Sequence, residues 1–316
     1  MKGIIADIGA TNARFAMADS AGIYDERILQ CADYPGLADA VRAYAGLVKP
    51  AVSPRRAAIA IAGPVTGDIF KMTNHPWAFS VKETAATLGL EKLHLMNDFE
   101  ALARAVPHLK PADLKQISGP APVAGAPKGI VGPGTGLGVA SLVWDGRRYI
   151  PVPGEGGHVT MAAKTQREFD MFQYLLKHKY HHISAERVCS GKGLVNIYAG
   201  LCGLEGRGDV FEDRTPAEIS AAALDGSCAL SREALDMMMA FLGRTARDLA
   251  LTLGAFGGIY IAGGIVNKLG GYFYGSGFSK EFIGEGRFTD YMRGVPVFVI
   301  QHEFPAFVGL QAVLLT

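Results

Sequence analysis

The chain has 316 residues, 49% hydrophobic and 19% charged, so it is long enough to bury a large core and to divide into two lobes. Lysine and arginine number 31 against 30 for aspartate and glutamate, which gives a formal net charge of +1 with no dense basic or acidic block. This balance argues against nucleic acid or an anionic membrane as a partner.

The cysteines and the N-terminus indicate a cytoplasmic protein. No zinc-like spacing relates the four cysteines, which are Cys31, Cys189, Cys202 and Cys228. We therefore expect reduced thiols in a cytosol. The first residues, "MKGIIADIG", enter a predicted strand without the features of a secretion signal.

In chain order, apolar runs of strand length alternate with helical patterns. The predicted strands are "KGIIADIG", "RRAAIAIAG", "KLHLMND", "GIVGPG", "GIYIAGG" and "VPVFVIQ", and the clearest helical patterns are "GLADAVRAYAGLVK" and "FEALARAV". This alternation predicts an α/β fold with mainly parallel strands. A Pro-, Gly- and Ala-rich stretch, 110–129, has little periodicity, and we place the lobe boundary just before it.

Segment 249–266 is uncharged and nearly long enough to span a bilayer. Its five glycines predict a helix end, a turn and a short strand instead, which together form a buried α/β crossover.

Two segments of the chain resemble one another. Residues 3–19 read "GIIADIGATNARFAMAD" and residues 129–145 read "GIVGPGTGLGVASLVWD". Each has an apolar strand, a turn containing glycine and threonine, a second apolar strand and a final aspartate. Such a repeat predicts duplicated α/β lobes with a cleft between them, although hairpin chemistry alone also favours these residues.

The first of these turns, in "ADIGATNARF", has the residues of a phosphate-binding turn. Gly9 leaves backbone N–H groups accessible, Thr11 adds a hydroxyl, and Arg14 adds positive charge. The carboxylate of Asp7 suits Mg²⁺, held through water. The alternative is a plain hairpin in which Asp7 hydrogen-bonds the turn.

The second turn, "GPGTGLG" at 132–138, lacks the lysine and the spacing of a Walker A loop. Its glycines let the backbone approach a ligand closely, and Thr135 supplies a hydroxyl. Gly263 and Gly264 stand where a predicted strand meets a helix, the usual ligand-binding place in open α/β sheets. The alternative for this pair is a tight crossover turn.

Asp98 lies between an apolar run and an amphipathic pattern, in "LHLMNDFEALARAV" at 93–106. Asn97 followed three places later by Glu100 fits a helix cap. Asp98, just inside the positive end of the helix, is then favoured in its ionised form. This pattern is typical of a helix cap, and it also suits a catalytic base at Asp98.

Three further side chains suit a polyol. Glu155 and His158 lie in a glycine-rich stretch, and Glu186 precedes a predicted helix start at Ser190. Carboxylates accept hydrogen bonds from hydroxyl groups, and an imidazole donates one. The alternative is that these side chains are simply solvated.

Taken together, the motifs resemble the bacterial ATP-dependent glucokinase family, of the hexokinase, actin and Hsp70 type of ATPase fold. The matching stretches are "ADIGATNARF", "AIAGPVTGD", "MTNHPWAFS", "LMNDFEALA", "GPGTGLGVA", "PGEGGHV", "ERVCSGKGL" and "IAGG". The resemblance implies an actin-like, ribonuclease H-like fold with a small lobe at 1–108 plus 303–316 and a large lobe at 109–302.

The resemblance also implies roles for individual residues. Asp98 would be the catalytic base, and the sugar would be bound by Asn97, Glu155, His158 and Glu186. Mg-ATP would be bound by Ala6, Asp7, Ile8, Gly9, Ala10, Thr11, Thr135, Gly136, Gly263 and Gly264, with Asp7 holding Mg²⁺ through water. The family favours a homodimer that converts D-glucose to D-glucose 6-phosphate.

This sequence departs from the family at Ala10, where a second glycine is usual, and the zinc motif of the related repressor and kinase group is absent. Two other functions remain open. One is a kinase for another hexose or an N-acetylated amino sugar, and the other is a non-enzymatic sugar or ATP sensor.

Overall fold

The computed structural model describes residues 2–72, 75–207, 214–284 and 286–316. The chain folds as two compact units. The first contains the chain up to Lys110 together with Tyr149–Pro153 and His302–Thr316, and the second contains Pro111–Arg148 and Gly154–Gln301. The boundaries of the small lobe at residues 108 and 303, which the family resemblance implies, stay a prediction.

Both units contain strands and helices. The strands are β1 (Gly3–Ile8), β2 (Asn12–Asp19), β3 (Gly22–Gln30), β4 (Arg56–Ile61), β5 (Ile69–Lys71), β6 (Ala78–Ser80), β7 (Lys92–Asn97), β8 (Leu114–Ser118), β9 (Lys128–Pro133), β10 (Leu137–Trp144), β11 (Tyr149–Gly154), β12 (Ile259–Ile261) and β13 (Val297–Ile300). The helices are α1 (Leu37–Val48), α2 (Val81–Thr87), α3 (Asp98–Ala105), α4 (Gln166–His178), α5 (Gly191–Leu204), α6 (Pro216–Leu224), α7 (Ala229–Leu253), α8 (Gly264–Leu269), α9 (Gly271–Gly275), α10 (Phe278–Ile283), α11 (Thr289–Arg293) and α12 (Pro305–Leu314). Short 3₁₀ turns occur at Cys31–Asp33, Val106–His108, Pro111–Asp113, Gly156–His158 and Gly286–Phe288.

The first unit is built on a sheet with the strand order β3-β2-β1-β4-β7. β1 and β2 form an antiparallel hairpin, whereas β1, β4 and β7 run parallel. Ile8, Ile61 and Asn97 are neighbours at the ends of these three strands, so the first turn and the start of α3 lie at the same edge of the sheet.

Both faces of this sheet are buried. Alternate residues of β1 point to opposite faces and pack into two different hydrophobic clusters. Ile4 and Ile8 pack with residues of α1. Ile5 packs on the other face with residues of α3 and α12, including Ala101 and Leu310. The residues of β1 that face either side are therefore mostly apolar, as expected for a strand that is covered on both faces.

The second unit repeats the central order, with β10-β9-β12-β13 neighbouring one another and β8 at the edge. β9 and β10 form an antiparallel hairpin, and β9, β12 and β13 run parallel. The sheet topology thus agrees with the predicted duplication. β8 was not predicted, since it lies in the Pro- and Gly-rich stretch that we had interpreted as irregular.

The uncharged segment 249–266 is divided as predicted. Helix α7 ends at Leu253, Gly254 adopts a left-handed conformation with φ 63°, and β12 follows after a turn. Among the described residues, no helix combines the length and the apolar character needed to cross a bilayer.

An ion-pair network lies inside the second unit. The Arg244 and Glu168 side chains are each 5% exposed, and their charged atoms approach to 2.6 Å. Arg244 also donates to Glu281 over 2.8 Å. Burial by itself would raise the pKa of Glu168, but hydrogen bonds from Arg244 and from the Lys164 backbone outweigh it and lower the pKa. Glu168 therefore remains a carboxylate in the folded protein.

We expect Glu168→Gln to lower the free energy of unfolding in urea by about 3 kcal/mol, because it leaves a buried guanidinium without its main counter-charge. Since the folded pKa of Glu168 lies below the unfolded value, the unmodified protein should lose this contribution as the pH falls through the folded pKa.

Glu218→Gln is the matched control. Thr165 with Glu168 and Thr215 with Glu218 form the same capping box at the starts of α4 and α6, but Glu218 is exposed. This control should therefore destabilise the protein much less than Glu168→Gln does. Equal losses in the two variants would show that the cap, and not the buried ion pair, carries the stability.

Candidate functional site

Asp98 is the first residue of α3, and Asn97 is its cap. The Asn97 Oδ1 accepts hydrogen bonds from the backbone N–H groups of Phe99 at 2.8 Å and Glu100 at 3.3 Å. The predicted cap is therefore confirmed. The Glu100 carboxylate accepts two bonds from Arg104, an ion pair that the cap motif did not predict.

The amide of Asn97 also joins two strand ends. Its Nδ2 donates to the carbonyl of Gly63, just after β4, over 3.1 Å. One Asn97 side chain thus fixes the helix start relative to the neighbouring strand. Because an amide nitrogen carries two hydrogens, this bond leaves Nδ2 a second N–H that suits a substrate hydroxyl.

The first turn is held by backbone and thiol contacts. Gly9 N–H donates to the carbonyl of Asn12 over 3.0 Å, and Cys31 N–H donates to the carbonyl of Thr11 over 2.8 Å. The Cys31 thiol lies 3.4 Å from the carbonyl of Gly9. Ala10 is exposed and is not among the non-glycine residues with positive φ. Alanine therefore introduces no backbone strain at the position where the family usually has glycine.

Asp7 lies opposite Arg14 in the hairpin, with 4.0 Å between their charged atoms. Burial raises the pKa of Asp7, and the Arg14 guanidinium opposes this shift only in part. A carboxylate that is partly shielded from water gains from a bound cation, so Asp7 fits the predicted magnesium role. No group of three or more His, Cys, Asp or Glu side chains suited to a metal occurs in the described ranges.

The second turn joins β9 to β10. Gly134 N–H donates to the carbonyl of Gly136 over 2.8 Å, and Gly191 N–H, at the start of α5, donates to the carbonyl of Gly134 over 2.9 Å. Thr135 is exposed at the tip of the turn. The turn therefore has its own internal bond and is tied to the start of a long helix, as a preformed phosphate-binding turn requires.

The predicted sugar-binding residues of the second unit gather beside this turn. The Glu155 and His158 side chains are exposed, with 3.9 Å between Oε2 and Nε2. Glu186 N–H donates to the carbonyl of Gly157 over 2.8 Å, and the Glu186 Oε2 accepts from Leu137 N–H over 3.0 Å. The structure thus brings together three residues that are separated in sequence.

Gly263 and Gly264 differ in what surrounds them. Gly263 has φ +97°, and a Cβ built on it would overlap the carbonyl oxygen of Pro133, at the end of β9. A Cβ on Gly264 would meet nothing within 4 Å. Gly263 is therefore required by the fold, whereas the space beside Gly264 is open to a ligand.

The motif "MTNHPWAFS", 72–80, is explained in part by the core. Trp77 is 1% exposed, and its indole N–H donates to the carbonyl of Tyr34 over 2.9 Å. Thr73 and Asn74 lie outside the described residues.

Two α/β units with the same central strand order, each containing a hairpin around a short turn, define the duplicated ATPase fold shared by actin and sugar kinases. The chain matches the family Glucokinase over residues 4–316. It belongs to this family, so the predicted family, fold class and enzyme class are confirmed.

Individual relatives agree with this assignment. The glucokinase of Aromatoleum aromaticum is 46% identical over 313 residues, which are 98% of this chain and 94% of that protein. A crystal structure of glucokinase from an Antarctic psychrotroph has a TM-score of 0.88 and 33% identity, covering 99% of this chain and 98% of the other. A glucokinase from Streptomyces griseus, solved with glucose and AMPPNP, shares the fold at 18% identity and a TM-score of 0.66, over 99% of each chain.

We expect Asp7→Asn to raise the midpoint of thermal unfolding by about 1–3 °C without nucleotide, because it removes a charge that burial disfavours. In the unmodified protein, the raised folded pKa of Asp7 means that protonation stabilises the fold. That contribution is lost as the pH rises through the folded pKa. Differential scanning calorimetry measures both effects.

Asp145→Asn is the control of opposite sign. Backbone N–H groups of Arg148 and Arg147 lower the pKa of Asp145, so neutralising this residue should lower the midpoint. If Asp7→Asn also lowered the midpoint of thermal unfolding, the buried charge of Asp7 would not be destabilising.

Gly263→Ala and Gly264→Ala form a second matched pair. Gly263→Ala should lower the free energy of unfolding by at least about 2 kcal/mol, because its Cβ would overlap backbone at a positive φ. Gly264→Ala should unfold like the unmodified protein but raise the Michaelis constant for ATP. An unchanged constant in Gly264→Ala would remove this turn from the nucleotide site.

Proposed function

We propose that this chain transfers the γ-phosphoryl group of ATP to D-glucose and forms D-glucose 6-phosphate. Membership of the glucokinase family supports both substrates. The observation that carries the proposal is the position of Asp98, at the start of α3 and at the same sheet edge as the first glycine turn. In such a place a carboxylate reaches a hydroxyl group while the turn amides face phosphate.

Asp98 is the catalytic base in this proposal. Phosphoryl transfer has a loose transition state, so orienting the hydroxyl group contributes more than strong basicity. A carboxylate held at a helix N-terminus by a capped first turn suits that task, because the helix end favours its ionised form. Asp98 orients the primary hydroxyl of the sugar and accepts its proton.

The remaining site residues bind and orient the substrates. Asn97 donates to a neighbouring hydroxyl through its second amide N–H. Glu155, His158 and Glu186 bind hydroxyl groups remote from the reacting one, which turns recognition into orientation. The nucleotide is bound by the end of β1 and the turn that follows it, and by residues of the second unit. These residues are Ala6, Asp7, Ile8, Gly9, Ala10, Thr11, Thr135, Gly136, Gly263 and Gly264.

Asp7 would hold Mg²⁺ through water, and the bound ion would neutralise phosphate charge. We further propose a homodimer in the cytoplasm. The absence of zinc-like spacing among the four cysteines is in keeping with reduced thiols.

We expect Asp98→Asn to lower kcat by about 10³-fold while the affinity for glucose changes less than about fivefold, because the amide keeps the shape but accepts no proton. Coupled detection of ADP release gives kcat, and isothermal titration calorimetry gives the affinity.

Glu100→Gln is the control on the same helical turn, since the Glu100 carboxylate binds Arg104. It should retain kcat within about threefold. Substantial turnover in Asp98→Asn would remove Asp98 from the role of base. ADP release that is independent of every sugar tested, including other hexoses and N-acetylated amino sugars, would contradict the proposed function.

A further inference from the structure

Leu137 links the phosphate turn to both sugar-binding segments of the second unit. Its N–H donates to the Glu186 Oε2 over 3.0 Å. A Cβ built on Gly157, between Glu155 and His158, would overlap the Leu137 carbonyl oxygen, so this segment packs directly on Leu137. Glu186 N–H in turn donates to the Gly157 carbonyl over 2.8 Å. The three backbone positions therefore form a closed set of contacts.

The Leu137 N–H has its acceptor in a side chain, the Glu186 carboxylate. Leu137 lies opposite Pro133 in the β9–β10 hairpin, and proline has no N–H to donate to the Leu137 carbonyl, so this pair does not exchange both ladder hydrogen bonds. A backbone group at the exit of the phosphate turn thus depends on a side chain of the proposed sugar site.

Glu186 is also held from behind. The Ser190 hydroxyl donates to the Glu186 carbonyl over 2.7 Å and caps α5 by accepting from Gly193 N–H over 2.9 Å. The Glu186 backbone is therefore fixed, and a ligand would act on Glu186 through its carboxylate. A carboxylate has two oxygens, so one can accept from Leu137 while the other accepts from a sugar hydroxyl.

We propose that Glu186 couples the two substrate sites, so that bound glucose holds its carboxylate on the Leu137 N–H, stabilises the preformed turn and tightens nucleotide binding. This inference rests on the proposed function and adds a positioning role to Glu186. Coupling of this kind is reciprocal, so nucleotide should tighten glucose binding by the same factor.

The test compares the dissociation constant of a non-hydrolysable ATP analogue with and without saturating glucose, by isothermal titration calorimetry. In the unmodified protein, glucose should lower this constant by about fivefold or more. The ratio of the two constants is the readout, and it is independent of turnover.

Gly136→Ala removes the contact without changing Glu186. A Cβ on Gly136 would overlap the Glu186 Oε2, which is the end of a flexible side chain, so the carboxylate should be pushed away from Leu137. Gly134→Ala is the matched control in the same turn, since the nearest atom to its Cβ lies 4.0 Å away. The ratio should fall below about twofold in Gly136→Ala and stay near the unmodified value in Gly134→Ala.

Glu186→Gln provides a second variant. Its amide has one oxygen in place of two, so it does not accept from Leu137 and a sugar hydroxyl through separate oxygens, and the ratio should again fall. A ratio of one in the unmodified protein, an unchanged ratio in Gly136→Ala, or an equal loss in Gly134→Ala would each overturn the coupling.

Failure of the coupling is distinguishable from failure of the proposed function. Glucose-dependent ADP release with a ratio of one would contradict the coupling alone. Absence of glucose-dependent ADP release would contradict the function.

Discussion

The hydrogen bond from the Leu137 N–H to the Glu186 carboxylate is the interaction on which the site of the second unit depends. A backbone N–H that is buried without an acceptor is costly, and the residue after the glycine turn has its partner in the Glu186 carboxylate. Supplying that partner from Glu186 brings the start of α5 to the turn. The geometry of the turn is consequently determined by residues about fifty positions further along the chain.

In the first unit, close packing between two helices holds the segment that carries Asp98 in position. A Cβ on Gly309, in α12, would overlap the carbonyl oxygen of Ala101 and lie 2.9 Å from the Ala105 nitrogen, both in α3. The helix that begins with Asp98 is therefore pressed against the C-terminal helix with almost no intervening side chain. Together with the Asn97 cap, this contact fixes the direction of α3. The C-terminal segment thus positions the proposed base without contacting it.

Local patterns predicted most of the central sheets. Buried parallel strands are continuous apolar runs, and hairpin turns and caps need particular residues within a few positions, so β1, β9, β12 and the start of α3 were predictable. Features that arise from distant pairing were not. β8 forms in a stretch with little periodicity because β13 provides an edge, and Tyr149–Pro153 belongs to the first unit although the residues on both sides of it belong to the second. The Arg244 network likewise joins residues that are distant in sequence.

Within the candidate site, the sequence identified residue types but not which glycines are required. Gly134 and Gly264 have open space where a Cβ would lie, whereas Gly136 and Gly263 do not. Ala10, which departs from the family pattern, introduces no backbone strain because that turn has an ordinary φ there. The glycines of a glycine-rich motif therefore differ in whether a side chain could replace them. The required position is the one that backbone approaches, which is Gly263 beside the Pro133 carbonyl, whereas a Cβ on Gly136 meets only the end of the flexible Glu186 side chain. Whether a position requires glycine thus depends on tertiary contacts of the turn. The spacing of the motif alone therefore does not show which glycines are required.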